Sequence, residues 1–143
     1  MKRGFLFCFV LLSISILTGT DVSGIQSGTW TLANSPYNVI GDVTIPAGSD
    51  LLIQPGVLVN VMGNYRITAQ GTLTATGTEA DSIRFESGQT DPNALWVGIR
   101  LENESQISNI QFCYIEKATY GINSINSPAN ISYNRFNLNE KGI

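Results

Sequence analysis

The stretch NIQFCYIEKATYGI at residues 109–122 overlays NISYNRFNLNEKGI at 130–143 without a gap, at a shift of 21. Asn, Ile, Gly and Ile recur at identical places, Phe112 meets Tyr133, and Ile115 meets Phe136. One step earlier, WVGIRL supplies Gly98-Ile99, 23 residues before Gly121-Ile122. A period of this length, carried by residues that favour strands, signals a chain that laps around an axis and stacks its laps. A single lap of short strands cannot bury its own inner face, so similar residues must recur in columns. The overlay predicts interior columns Ile99–Ile122–Ile143, Ile110–Ile131 and Phe112–Tyr133.

The N-terminal half carries its own version. Glycines at 41, 48, 56, 63, 71 and 77 separate short runs that alternate with period 2: Val43/Ile45, Val57/Val59/Val61, Tyr65/Ile67/Ala69 and Leu73/Ala75. Such alternation between turn residues reads as half-buried strands. GDVTI at 41–45 lines up with GNYRI at 63–67 at a shift of 22, and Leu51 lines up with Leu73. The glycines are placed at corners, where a side chain would clash. Seven asparagines lie between 109 and 139, and they are expected to form ladders at recurrent turns. A β-sandwich would not repeat its sequence at this period. Leucine-rich repeats need leucine columns and helical returns, and a left-handed β-helix would step by six.

Composition narrows the function. The 143 residues suit one domain, with 43% hydrophobic and 13% charged residues and a formal net charge of -3. Eight scattered Lys+Arg do not make the basic face of a nucleic-acid binder. There is no histidine and there are two cysteines, so no metal site and no cofactor are expected. Lys2 and Arg3 precede 13 uncharged apolar residues, FLFCFVLLSISIL, and then small residues. That is the anatomy of a secretory signal peptide, shorter than the roughly 20 residues of a spanning helix. Residues 1–24 are assigned to it, with cleavage near Thr20 or Gly24, and the product is expected to be secreted or on the cell surface with no membrane span. The domain is then 25–143, with cap and first coil at 28–50 and Trp30 packed over that coil. Cys113 remains as its one cysteine, so no internal disulfide holds it.

GTWTLANSPYNVIGDVTIPAGSDLLIQPGVLVNV, GTLTATGTEADSIRFES, WVGIRLEN and NSPANISYNRFNLNEKGI together resemble the secreted right-handed parallel β-helix repeat proteins of the pectate-lyase-like superfamily. The resemblance covers about 28–143, and its first part looks like the opening coils of large bacterial surface proteins. It implies an all-β, right-handed parallel β-helix of about five coils of 21–23 residues. The fold carries lyases, hydrolases, adhesins and stalks, so it implies no single activity. Enzymes of the family use clustered Asp with an Arg or Lys base, often with calcium. Here Asp42, Asp50, Asp81 and Asp91 are placed at turns or loops, and no Asp follows. The candidate contact residues for an extracellular polysaccharide or cell-surface glycan are Arg84 and Glu86 in IRFES, Arg100 and Glu102 in IRLEN, and Trp96. The two charged runs are 16 residues apart and are expected on different faces, as solvated strand charges. No catalytic residues are assigned. The expected function is a non-catalytic, structural or adhesin-like module. The alternative is a fragment of a polysaccharide lyase or glycoside hydrolase whose catalytic coils follow Ile143. The C-terminal end lacks a cap, which predicts a truncated piece of a longer surface protein; a chain complete as given is expected to aggregate, swap or dimerise through that end.

Overall fold

The computed structural model describes residue 4 and residues 18–143 except 104. The strands follow one another as β1 (Thr20–Ile25), β2 (Gly28–Trp30), β3 (Tyr37–Ile45), β4 (Asp50–Ile53), β5 (Leu58–Val61), β6 (Arg66–Ala69) and β7 (Thr72–Thr76). Then come β8 (Ile83–Ser87), β9 (Trp96–Leu101), β10 (Ser108–Gln111), β11 (Cys113–Glu116), β12 (Ala118–Ser124), β13 (Ala129–Ser132) and β14 (Arg135–Asn137). All pairings between them are parallel. The chain is a parallel β-solenoid of about five coils with three faces.

The first face stacks β3, β5, β8, β11 and β14; the second stacks β3, β6, β9 and β12; the third stacks β2, β4, β7, β10 and β13. β3 serves two faces because it is long. Its Tyr37–Val39 half pairs with β5 and its Val43–Ile45 half with β6. β1 lies along β3 and closes the N-terminal side. The inward residues form columns through the core: Val59, Phe85, Ile115 and Phe136 on the first face, and Ile53, Ala75, Ile110 and Ile131 on the third. Ile67, Ile99 and Ile122 do the same on the second. Alternate residues point to solvent, which is why the strands alternate although parallel sheets are ordinarily covered on both sides.

The shift of 21 is the pairing register of the last two coils: Ile110 sits opposite Ile131, and Ile115 opposite Phe136. Gly121-Ile122 recurs because the chain there touches its next lap. A Cβ on Gly121 would stand 2.5 Å from the Gly142 carbonyl oxygen, and Ile122 N–H donates to that oxygen at 2.9 Å.

Several expectations need correction. The coils are not uniformly 21–23 residues long. Ala75 sits opposite Ile110, an offset of 35, and Ala69 opposite Leu101, an offset of 32. All three corners of this middle coil are lengthened, at residues 77–82, 88–95 and 102–107. The 41–45 and 63–67 alignment is off by two, since Val43 pairs with Ile67. A two-residue slip keeps every side chain on its face, so the core assignment survived the wrong register. Phe112 and Tyr133 are not interior. They are corner residues at φ 50° and 56° with rings stacked outside at 4.9 Å. Ile143 is exposed. Trp30 is a buried strand residue in the first coil, stacked on Tyr37 at 4.7 Å, rather than a lid over it. Asp42 lies within β3 and its Oδ1 accepts the Arg66 N–H at 2.9 Å. Asp50 opens β4. β1 begins at Thr20, within the span assigned to the leader; Val22 is buried and Thr20 N–H donates to Pro36 O at 2.7 Å. The rest of the predicted leader lies outside the described residues, Gly4, Thr18 and Gly19 excepted.

Candidate functional site

The outward rows of the first face decide what its charges can do. Arg84 sits opposite Leu58 on one side and Tyr114 on the other, and Tyr114 sits opposite Arg135. The next outward row carries Asp21, Asn38, Asn60 and Glu86 in register, and Glu116 opposite Asn137. Arg84 Nε donates to Glu86 Oε1. Its guanidinium also lies 4.9 Å from the Tyr114 ring centroid, a cation–π distance. Desolvation first, then the neighbouring Glu116 carboxylate, push the Tyr114 hydroxyl above the ordinary phenol range. The Tyr114 hydroxyl therefore stays protonated at neutral pH.

Arg100 belongs to the second face, between Thr68 and Asn123. Its Nε atom is buried 2.5 Å from Glu102 Oε1 without a directed hydrogen bond, so the contact is an ion pair, and the rest of the side chain is about one-third exposed. Beside it a shallow cleft of about 90 Å³ is lined by Arg66, Gly98, Tyr120 and Asn123.

The two Arg–Glu runs therefore stand on different faces, each neutralised within its own strand. Trp96 leaves the candidate set. It is 0% exposed, and its Nε1–H donates to Glu116 O at 2.9 Å, so it anchors the start of β9 in the core. Among the described residues no three Asp, Glu, Cys or His side chains converge as metal ligands would. Cys113 is buried with Sγ 3.2 Å from Ala75 O, and burial pushes its thiol up to about 12.

A larger feature was not anticipated. An open groove of about 820 Å³ runs along the corner between the third and first faces. Phe112 and Tyr133 form one side, Tyr114 and Arg135 the other, and Cys113 and Asn134 lie between them. Glu79 and Ser82, from the lengthened corner 77–82, also line it. The overlay at shift 21 had already paired Phe112 with Tyr133 and Tyr114 with Arg135. What hid the site was the belief that the first pair points inward.

A scan against protein-family models finds no match, and searches of curated proteins and of solved structures find none.

Proposed function

We propose that the chain is an exported, non-catalytic β-helix module of the pectate-lyase-like kind, a structural or adhesin-like segment of a larger surface protein with weak glycan contact. The observation that carries this reading is the separation of the charged runs. General acid–base cleavage needs an acid and a base within hydrogen-bond reach of one substrate atom. Here Arg84 and Arg100 face different directions, and each is held by its own glutamate. A guanidinium carries hydrogen-bond donors and no acceptor, so it positions an anion.

Export is argued from the basic start and apolar core at residues 2–17. Of the two cleavage positions, Thr20 fits the fold better, because a cut after Gly24 would remove five of the six residues of β1. Intact-mass measurement on the exported chain reads the position directly. Self-association through the last coil belongs to the same proposal.

The test is incubation of the chain with pectate, alginate and neutral glycans, with and without calcium. Unsaturated uronide and reducing ends are expected to stay at background. Activity abolished by Arg84→Ala or Arg100→Ala would replace this reading with a polysaccharide lyase or hydrolase.

A further inference from the structure

We propose that the corner groove bounded by Phe112, Tyr133, Tyr114 and Arg135 binds an extended, uncharged polysaccharide laid along the solenoid axis. The inference deepens the glycan contact proposed above and places it at a different site from the Arg–Glu runs.

Three observations carry it. The first is shape. The groove is open along its length, about 820 Å³, and runs with the axis across the last two coils. Two coils span about 10 Å along the axis, room for about two sugar residues of a longer chain. The second is periodicity. Coils repeat every 4.8 Å or so, close to the advance of one pyranose along an extended glycan. The Phe112 and Tyr133 rings are stacked on each other at 4.9 Å and present their edges, one per coil, as one wall, with Tyr114 and then Arg135 at the other. Successive sugar rings meet equivalent walls. Rigid aromatic side chains supply such contact area at small entropic cost, and Tyr133 is 76% exposed, so its surface is available.

The third is charge. Glu79 and Arg135 are the two ionised side chains lining the groove, and they balance. The nearby Arg84 is taken by Glu86. The groove therefore presents no net field to attract a polyanion. Its polar atoms include the Ser82 hydroxyl, the Glu79 carboxylate and the Arg135 guanidinium, which match sugar hydroxyls as donors and acceptors. The lengthened corner 77–82 adds Glu79 and Ser82 to the lining, and departures from a repeat at a loop are where binding residues concentrate. The aromatic corners also cost strain. Bulky residues at positive φ are unfavourable where Gly or Asn would be cheap, and two successive coils both hold an aromatic there.

Affinity electrophoresis of the exported chain decides the matter, in gels cast with laminarin, galactomannan, hydroxyethylcellulose or polygalacturonate. Retardation is expected in at least one neutral polymer and not in polygalacturonate. Tyr133→Ala should weaken it about 3- to 10-fold, the range of one aromatic contact, and Arg135→Ala should also weaken it. Thermal melting of Tyr133→Ala should match the parent, since the side chain is exposed. Retardation by no neutral polymer overturns the proposal, as does retardation by polygalacturonate alone. Binding that survives Tyr133→Ala but is lost in Arg84→Ala or Arg100→Ala overturns the groove while leaving a glycan-contacting module standing.

Discussion

Among the described glycines, Gly98 leaves the least room for a side chain. Its φ is +122°, and a Cβ there would lie 1.6 Å from the Tyr120 carbonyl oxygen, a backbone atom that cannot step aside. Opposite it, β12 carries one extra residue, since Tyr120 pairs with Gly98 but Ile122 with Ile99. Gly98→Ala is expected to cost more than about 3 kcal/mol or to prevent folding, by strain and overlap together. Gly48, at φ +76° with open space around it, provides the comparison: Gly48→Ala should cost about 1 kcal/mol. Urea midpoints of the two variants test this, and equal midpoints would contradict the bulge. Cys113 makes a second residue-scale prediction. Its thiol is raised from 9.0 to about 12 by burial, so the folded chain holds that proton more tightly than the unfolded chain. Stability from this group is complete below pH 9 and falls as pH rises towards 12, by up to about 1.4 kcal/mol per pH unit. Cys113→Ala should flatten that alkaline limb in urea titrations; an unchanged limb would assign it to other groups.

At the scale of elements, the corners matter more than the ladders. Asn130 Nδ2–H donates to Asn109 Oδ1 at 2.8 Å, the amide ladder that composition leads one to expect. Asn134 does something else. Its Oδ1 accepts the Cys113 N–H at 2.9 Å and its Nδ2 donates to Ile110 O at 2.7 Å, so one side chain stitches two coils at a corner. Asn139 repeats the arrangement with Ala118 and Ile115. Asn134→Ala leaves a part-buried N–H and C=O without partners and should cost 1–3 kcal/mol or so. Asn130→Ala, in the exposed ladder, should stay within about 0.5 kcal/mol. Chemical denaturation of both variants separates the two roles, and equal costs would put the ladder reading back. The same contrast shows what sequence could and could not disclose. Strands, inward faces and the last register were legible because period-2 alternation and a 21-residue identity are local patterns. The middle register was not, because Ala75 reaches Ile110 across lengthened corners that break the count. The groove was half legible. Its residue pairs were visible at shift 21, but that Phe112 and Tyr133 turn outward follows from left-handed φ values that apolar residues do not advertise. Trp96 misled for the related reason that an aromatic gives no sign of which way it points.

At the scale of the molecule, the first and the last described coils are unlike. At the N-terminal end β1 lies along β3, and Trp30 and Tyr37 stack beneath. At the other, among the described residues, β13 pairs only with β10 and β14 only with β11. Ile131 and Phe136 are only partly buried on the core, while Leu138 and Ile143 are 67% and 74% exposed. An unpaired strand edge beside apolar surface is a template for another chain, and proteins ordinarily blunt it with charge or cover it. The last coil sets Arg135, Glu140 and Lys141 near this end, too few to shield Leu138 and Ile143. For a polypeptide cut at Ile143, sedimentation velocity over a rising concentration series is therefore expected to show a monomer giving way to dimers or larger stacks. Leu138→Lys and Ile143→Lys together should shift that transition to higher concentration, with the circular dichroism spectrum unchanged because both side chains already face solvent. Tyr133→Ala acts on the groove and should leave the transition near its original place. A sedimentation coefficient that stays monomeric up to millimolar concentration would mean that the last coil tolerates its open edge, and the association proposed for this end would have to be abandoned.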